Sequence, residues 1–326
     1  MELITYRDDA FQQLAAQVIN NHEGSLEPFY LPINTAYYQE YYNDNRSNIS
    51  FCVSKGNKAY LLVFICEAKE KRFDYFNFPI KFLWCKNIDE PTRKGATSLA
   101  IKHLNQLLNG NKLDYQESVS YGLSSFATHL LKIGYKPNLL FQQIINLTLP
   151  ETVLFSNLRK VYRANVRWGE KNIVFKVINS NSIYPGIMKD FKALHIFISG
   201  KETRSSLTWQ LQEEMIEKGE AFAVLGFLNK ELISASLFPF SKSECYYGVG
   251  AYRRDLFSKP ISHSSIWNAI TYAKQIGCKT FSMGEAYFDQ PNTDNSKRIT
   301  DKELSIAHFK QGFGGVITPV LRFESV

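Results

Sequence analysis

The alternation of apolar and polar positions predicts the same order of helices and strands in both halves of the chain. In the first half, short apolar strands precede an amphipathic helix, Thr97–Leu108, whose apolar positions recur at intervals of three and four. In the second half, the strands Ala221–Leu228, Leu232–Phe240 and Cys245–Tyr252 precede the helix Ser265–Ile276. A strand, a helix and a final strand then follow in each half. The pattern therefore predicts a duplicated unit.

The two halves also end alike. Lys132 and Lys310 each come at the end of a predicted helix, and each is followed by a glycine, an aromatic residue and an apolar strand. Glycine commonly closes a helix in the left-handed conformation, so we expect Gly134 and Gly312 to end these helices in that way. This repeat of helix, glycine cap, turn and strand strengthens the prediction of two related domains.

The order of elements predicts an α/β fold in which a mixed sheet is flanked by helices. At 326 residues the chain is long enough for two ordinary domains, each with its own core. We expect these domains to span residues 1–149 and 150–326. A content of 44% hydrophobic and 21% charged residues is typical of a globular protein and excludes a disordered one.

Charge adds an expectation about partners. The formal net charge of +7 arises from 38 Lys and Arg against 31 Asp and Glu. A positive field attracts anions, so we expect an anionic partner such as a nucleotide, coenzyme A, tRNA or a phosphorylated precursor. The chain contains no Lys/Arg run of the length found in nucleic-acid-binding tails.

The cysteines and the apolar runs predict a cytoplasmic location without stable membrane insertion. The five cysteines are scattered and form no C-x-x-C pair, so we expect small core residues in a reducing compartment rather than disulfides or zinc ligands. The sequence predicts no signal peptide, and no uncharged apolar stretch approaches the length of a membrane span. The six histidines show no metal-ligand spacing, so we predict no metal site.

Two short motifs resemble known acyltransferases. In the first half, the turn after the predicted helix that ends at Lys132 resembles the turn that follows the penultimate helix of N-acetyltransferases of the GNAT superfamily. The second-half motif resembles the closing motif of FemAB-like transferases, which are tandem GNAT-fold proteins that transfer amino acids from aminoacyl-tRNA to peptidoglycan precursors. Leu158–Arg167 and Ile266–Lys274 agree with that family as well. The two motifs are Lys132-Ile133-Gly134-Tyr135-Lys136-Pro137 and Phe309-Lys310-x-x-Phe313-Gly314.

The resemblance implies two tandem GNAT-like domains, of which the first is degenerate and the second carries the active site. It implies an enzyme that transfers an acyl or aminoacyl group to an amine of an anionic acceptor, such as a cell-envelope or polysaccharide precursor. One alternative is an acetyl-CoA-dependent N-acetyltransferase of a small amine or amino sugar. Another is a non-catalytic protein that binds a nucleotide or a protein partner.

The identity of the donor depends on how the chain would hold phosphates. GNAT-type acyl-CoA users carry a glycine-rich loop at the start of the central helix, where backbone N–H groups bind the pyrophosphate. Here Arg93–Thr97 matches that loop in part, and Ser258–Ser264 contains no glycine, although Ser262 or Ser264 could cap the helix. The donor is therefore either aminoacyl-tRNA or acyl-CoA, and no tightly bound cofactor is expected.

Acyl transfer to an amine needs a deprotonated nucleophile and stabilisation of the oxyanion. By the resemblance, Lys310 sits beside the transferred carbonyl, flanked by Phe309 and Phe313. Glu285 and Asp289 follow a predicted strand, and either could accept a proton from the incoming ammonium or simply bind it.

Basic residues provide the predicted contacts with the acceptor. Arg159, Arg163 and Arg167 recur every fourth position beside Lys160, a spacing that places the three guanidinium groups on one helical face. Arginine forks match phosphate oxygens, so this face could clamp a nucleotide-linked acceptor, although an exposed helix between domains has the same pattern. Arg254 and His263 are further candidates for contacts with anions.

Overall fold

The computed structural model describes residues 1–43, 46–108, 111–118, 122–288 and 299–324. Short 3₁₀ helices lie at Pro28–Tyr30, Lys69–Lys71 and Arg254–Leu256. The first half of the chain contains, in order, β1 (Glu2–Thr5), α1 (Phe11–Asn20), α2 (Pro32–Tyr42), β2 (Ser47–Asn48), β3 (Phe51–Lys55), β4 (Lys58–Phe64), β5 (Cys66–Ala68), β6 (Arg72–Asp74), β7 (Lys81–Trp84), α3 (Glu90–Leu108), β8 (Tyr115–Ser118), α4 (Ser125–Lys132) and β9 (Lys136–Asn146).

The second half repeats several of these elements. It contains, in order, α5 (Glu151–Ser156), α6 (Lys160–Asn172), β10 (Val174–Ile178), α7 (Ile187–Ser199), α8 (Ser206–Glu217), β11 (Ala221–Leu228), β12 (Glu231–Pro239), β13 (Glu244–Tyr246), β14 (Val249–Tyr252), α9 (Ile261–Gln275), β15 (Thr280–Glu285), α10 (Asp301–Gln311) and β16 (Val316–Glu324).

The chain forms two compact units, and each unit is made of separate stretches of the sequence. Unit 1 contains Met1–Ser25, Tyr42–Leu140 and the chain from Pro319 onward. Unit 2 contains Leu26–Tyr41 and Phe141–Thr318. The final strand therefore begins in unit 2 and lies in unit 1 from Pro319 onward. The domain bounds 1–149 and 150–326 stay a prediction.

Unit 1 is built on an antiparallel sheet in the order β1-β3-β4-β7. Helix α3 packs on it through Ala96, Ala100, Leu104 and Leu108, which recur every fourth residue and are all fully buried. Two of these positions are alanine, and small side chains let a helix approach the sheet closely. The helix begins already at Glu90. The stretch Arg93–Thr97, which matches a phosphate loop only in part, therefore lies inside α3.

Unit 2 is built on an antiparallel sheet in the order β10-β11-β12-β14. Helix α9 contacts β11 and β12, α7 contacts β12 and β14, and α8 contacts β11. The first six residues of β11, Ala221–Gly226, are all buried, as expected for a strand covered on both faces. A second group of strands pairs β13 with β15 in parallel and β15 with β9 antiparallel.

The prediction that a left-handed glycine ends each of the two helices is confirmed at one of the two positions. Gly134 has a φ of +95°, and the Tyr135 N–H bonds to the Leu130 carbonyl, which gives the hydrogen-bond pattern of a left-handed cap. The prediction for Gly312 is wrong, because its φ of −64° is helical. The left-handed residue there is Gly314, with a φ of +79°. The left-handed residue after α10 thus comes two positions later than predicted.

The five cysteines are all buried and in the reduced state, as expected of small core residues. Within the described ranges, no helix is both long enough and apolar enough to cross a membrane. No group of three His, Cys, Asp or Glu side chains in those same ranges is arranged to hold a metal ion.

A buried ion pair fixes the last strand in unit 1. Strand β16 is antiparallel to β8, and Arg322 donates to both carboxylate oxygens of Asp114, at 3.1 and 2.7 Å. Only 4% of the Asp114 side chain is exposed, and burial raises the pKa of its carboxyl while Arg322 acts in the opposite direction. Removing the arginine would leave a buried carboxylate without its main partner.

We therefore expect Arg322→Met to lower the free energy of unfolding of unit 1 by about 2–4 kcal/mol. The matched control is Lys94→Met, which removes an exposed pair with Glu90 and should cost less than about 0.5 kcal/mol. Urea denaturation followed by circular dichroism measures both. Equal losses in the two variants would show that the buried pair has no special role.

Candidate functional site

Unit 2 contains a cavity of about 780 Å³. Its walls come from α6, from the segment around β14, from the loop that leads into α9, and from α10. Together these elements bring residues that are far apart in sequence to one surface. The lining residues are Asn165, Tyr247, Tyr252, Phe257, Ser258, Lys259, Pro260, Ile261, Ser262, His263, Ser305, Ile306, Phe309 and Lys310.

The cavity lies where the chain changes strand partners. The short strand β13 pairs in parallel with β15, whereas β14, only two residues further on, pairs antiparallel with β12. Tyr247 lies between these two strands and lines the cavity. A side chain on the next residue would not fit, because a Cβ at Gly248 would lie 2.9 Å from Pro239 Cδ and 3.0 Å from the Leu237 carbonyl oxygen. The separation of β13 from β14 therefore opens the sheet beside α9.

Lys310 extends from the last turn of α10 to the wall of this cavity. Its ammonium lies against β15, since a Cβ at Gly284 would be 3.3 Å from Lys310 Nζ. Burial lowers the pKa of Lys310 below its ordinary value, and the Glu285 carboxylate acts in the opposite direction. The structure thus places a half-buried cation, with one carboxylate near it, at the position that the sequence selected.

The turn that carries Lys310 is held by close contacts. A Cβ at Gly312 would lie 2.1 Å from the ring of Tyr162, so only glycine fits there. The Tyr162 hydroxyl donates to the Phe309 carbonyl at 3.0 Å. From the other side, the Gln143 amide donates to the carbonyls of Lys310 and Gly314, at 3.0 and 2.6 Å. Sequence reasoning missed Gln143, which is one polar residue in an otherwise ordinary strand.

Phe309 and Phe313 belong to an aromatic cluster with Tyr162 and His263. The Tyr162 and His263 rings lie 4.4 Å apart, and the Phe309 and Phe313 rings 5.4 Å apart. Phe309 lines the cavity, whereas Phe313 is only 2% exposed and lies in the core. The two phenylalanines of the motif therefore differ in position, and only the first can contact a ligand in the cavity.

His263 lines the cavity as an uncharged group. Burial lowers the pKa of His263 from 6.5 to about 4, so the imidazole is neutral at pH 7. Its Nε2 lies 3.2 Å from the Asn165 side-chain amide nitrogen, which can donate to it. A neutral ring contributes no charge to phosphate binding. The anion-binding role expected for His263 thus has no electrostatic support, and Asn165 is a lining residue that sequence reasoning missed.

The basic residues around α6 do not converge on the cavity. Arg159 donates to His308 Nε2 at 2.8 Å, and Arg163 donates to the carbonyls of Ser156 and Leu158. Arg167 lies over the Phe155 ring, and Lys160 is exposed in the first turn of the helix. Arginines four residues apart do share a helical face, but here each guanidinium has a different local partner. The predicted phosphate clamp is therefore not assembled in this structure.

The three remaining substrate-binding candidates take different positions. Ser262 lies in the first turn of α9 and lines the cavity. Ser264 is fully buried and donates to the Val166 carbonyl at 3.0 Å; a Cβ at Gly169 would lie 1.9 Å from its hydroxyl oxygen. Its role is therefore in the contact between α6 and α9. Arg254 is exposed and lies outside the cavity lining.

Of the two carboxylate candidates, Glu285 and Asp289, only Glu285 lies in the described part of the chain. Glu285 ends β15, accepts a hydrogen bond from Tyr287 and interacts electrostatically with Lys310. Asp289 lies outside the described residues.

Two lysines line the cavity. Lys310 was indicated by the motif, whereas Lys259, an exposed residue just before α9, was singled out by no sequence signal.

The lowered pKa of His263 predicts a loss of stability in acid. The unfolded chain binds a proton at this residue below about pH 6.5, but the folded chain does so only near pH 4, so stability falls as the pH drops through that window. We expect the wild-type protein to lose on the order of 2 kcal/mol more stability than His263→Gln as the pH falls from about 6.5 to 4, a value reduced for the partial exposure of the ring. Between pH 8 and pH 4 the melting temperature of the wild-type protein should therefore fall further than that of the variant. Parallel curves would contradict the prediction.

Comparison with known proteins identifies the fold. No family model and no curated protein matches the chain. FemX matches with a TM-score of 0.67 at 14% identity, over 98% of this chain and 97% of FemX. The C-terminal domain of a protein assigned as a lysylphosphatidylglycerol synthetase from Agrobacterium fabrum matches at 0.60 and 9% identity, over 98% and 92% of the two chains. A tandem GNAT protein from the clavulanic acid biosynthesis pathway matches at 0.50 and 9% identity, over 100% and 98%. The prediction of a mixed α/β chain with the tandem GNAT fold, similar to FemAB-like proteins, is confirmed.

Proposed function

We propose that this protein is an acyltransferase and that the cavity of unit 2 is its reaction site. The observation that carries the proposal is the half-buried Lys310 ammonium on the cavity wall, close to Glu285 and at the end of a helix held by Tyr162 and Gln143. Two lysines and no carboxylate are found among the described residues that line the cavity. Such a surface favours an anionic ligand and a reaction in which negative charge develops.

The reaction that fits is the transfer of an acyl or aminoacyl group to an amine. The neutral amine nitrogen attacks the carbonyl carbon of an activated ester or thioester, and the carbonyl electron pair moves to oxygen. The Lys310 ammonium stabilises that oxyanion. When the intermediate collapses, the bond to the leaving oxygen or sulfur breaks, and the leaving group takes up the proton lost by the amine. No nucleophilic side chain is needed.

Glu285 acts in this proposal through Lys310. Burial alone would favour the neutral amine, which cannot stabilise an oxyanion by its charge. The carboxylate acts against this lowering of the Lys310 pKa and so favours the ammonium. In this proposal Glu285 is therefore a positioning residue, whereas the sequence analysis offered it either as a base or as a contact for the incoming ammonium.

The start of α9 suits a donor that carries phosphate. The loop and first turn, Phe257–His263, form one wall of the cavity, and a helix N-terminus attracts negative charge through its free N–H groups. Lys259 adds a cation beside it. Acyl-CoA and aminoacyl-tRNA both carry phosphates, and the fold is shared with FemX and with a tandem GNAT protein. The acceptor would be an anionic amine, such as a cell-envelope or polysaccharide precursor.

The donor test uses calorimetric titration with acetyl-CoA and with CoA, and filter binding with charged tRNA. Saturable binding of acetyl-CoA would identify an acyl-CoA-dependent N-acyltransferase, and binding of charged tRNA alone would identify an aminoacyltransferase. Amide products formed with a panel of amines are then identified by mass spectrometry. If no donor binds, the transferase proposal fails, and a non-catalytic binding protein becomes the better interpretation.

We expect Lys310→Ala to reduce turnover by about 10²–10³-fold, the usual loss when one oxyanion-stabilising group is removed. The matched control is Lys302→Ala, since Lys302 lies on the same helix but is exposed. The rate of amide formation with the donor identified above measures both. Full turnover by Lys310→Ala would contradict the central role of this residue.

Glu285→Gln should shift the alkaline limb of the pH–rate profile to lower pH. Without the carboxylate the pKa of Lys310 falls further, so the ammonium is lost at a lower pH. At pH values well below the range in which the rate declines, the variant should retain most of its activity. A profile that falls uniformly at every pH would instead indicate that Glu285 acts directly on the substrate.

A further inference from the structure

Strand β15 contains a β-bulge beside Lys310. The residues that pair across β15 and β9 are Phe281 with Ile145, Ser282 with Ile144, Gly284 with Gln143, and Glu285 with Gln142. Met283 has no partner on β9 and is therefore the extra residue of the bulge. Across the bulge, the Gly284 N–H donates to Ser282 Oγ at 3.2 Å. The φ of Gly284 is +81°, a left-handed conformation that favours glycine.

The bulge moves Glu285 to the other face of the strand. Side chains that pair directly across antiparallel strands share a face, and successive side chains alternate between the two faces. Phe281 and Ile145 both lie in the buried core of unit 2 and so define the core face, on which Gln143 also lies. Gly284 pairs with Gln143 and takes the core face, so Glu285 takes the opposite one. In a regular strand Glu285 would lie four residues after Phe281 and would share the core face.

Lys310 approaches β15 on the core face. The Gln143 side-chain amide donates to the Lys310 carbonyl, and a Cβ at Gly284 would lie 3.3 Å from Lys310 Nζ. The ammonium therefore lies beside the point from which a side chain at position 284 would extend. The Glu285 carboxylate instead accepts a hydrogen bond from the Tyr287 hydroxyl. Lys310 and Glu285 interact electrostatically, but they form no ion pair.

The Lys310 ammonium has no partner within the part of the chain that the structure describes, since its Nζ makes no hydrogen bond and no ion pair there. An ammonium carries three N–H donors, and a half-buried charge without an acceptor is costly. Gly284 offers no side-chain oxygen beside Nζ, and the bulge keeps the Glu285 carboxylate off this face. The described chain thus leaves these N–H groups for a ligand.

We infer that Gly284 is a positioning residue: together with the bulge it keeps the Lys310 ammonium apart from the Glu285 carboxylate, so that Lys310 binds an oxygen of the ligand instead of a protein carboxylate. This inference rests on the proposed function. An ammonium held in an ion pair would have to break that pair before it could stabilise an oxyanion, whereas an unpaired ammonium is available at once. Glu285 then acts on Lys310 only through its field across the strand.

The test places a carboxylate on the core face. Gly284→Asp adds one beside Lys310 Nζ, and Gly284→Asn is the matched control, because it has the same shape without the charge and both residue types tolerate a left-handed conformation. The pKa of Lys310 is measured from the pH dependence of its reaction with trace acetic anhydride, with each lysine resolved by mass spectrometry. Half of Lys310 should be deprotonated at a pH at least about one unit higher in Gly284→Asp than in Gly284→Asn, the effect of an adjacent opposite charge. Amide formation should be at least about tenfold slower in Gly284→Asp, because the new ion pair occupies the ammonium.

Gly277→Asn controls for backbone strain. Gly277 has a φ of +96°, and a Cβ there would have no atom within 4 Å, so this variant carries similar strain without contacting Lys310. It should lower the melting temperature but leave the pKa of Lys310 and the rate per folded molecule unchanged. If neither variant at position 284 folds, a crystal structure of the wild-type protein decides the question. An ion pair between Lys310 and Glu285 in that structure would overturn the inference, and separate side chains would support it.

The outcomes separate this inference from the proposed function. The labelling experiment needs no donor, and equal pKa values of Lys310 in Gly284→Asp and Gly284→Asn would overturn the inference. Equal turnover by the two variants of an active enzyme would overturn it as well and would leave the transferase proposal standing. If the wild-type protein forms no amide with any donor, the proposed function fails, and the role of Gly284 in the reaction fails with it.

Discussion

The position of Lys310 depends on the contact between the Tyr162 ring and Gly312. Because residue 312 has no side chain, the ring of Tyr162 can lie against the backbone at the end of α10, and its hydroxyl reaches the Phe309 carbonyl. Gln143 binds the Lys310 and Gly314 carbonyls from β9. The last turn of the helix is thus held by two separate elements of unit 2. A half-buried lysine needs such support, since its charge is stabilised only in a fixed geometry.

The electrostatics of the cavity follow from what surrounds each titratable group. Burial disfavours charge on both His263 and Lys310. His263 has no carboxylate to oppose that effect and becomes a neutral ring, whereas Lys310 has Glu285 nearby. The same desolvation therefore gives a neutral wall at α9 and a cation at α10. This division suits a reaction in which negative charge develops at one atom beside α10.

The two units differ at the equivalent helix. In unit 2 the central helix α9 begins at the cavity, so its first turn forms part of the cavity wall. In unit 1 the corresponding helix α3 begins already at Glu90, and the partial glycine loop lies within it. An internal helical glycine has no free N–H groups to offer a phosphate, because its own N–H is used in the helix. That the first domain is degenerate stays a prediction.

The sequence by itself determined the order of the main elements, the tandem GNAT fold and the position of Lys310 at the end of a helix. These features depend on residues that are close together in the sequence. Apolar periodicity defines α9, and a glycine in the left-handed conformation ends α4. The sequence did not determine that Arg163 turns to backbone carbonyls, that Asn165 faces the cavity, or that Ser264 fills the space left by Gly169. Spacing along a helix shows which residues share a face, but the partner of each face depends on packing between elements distant in sequence.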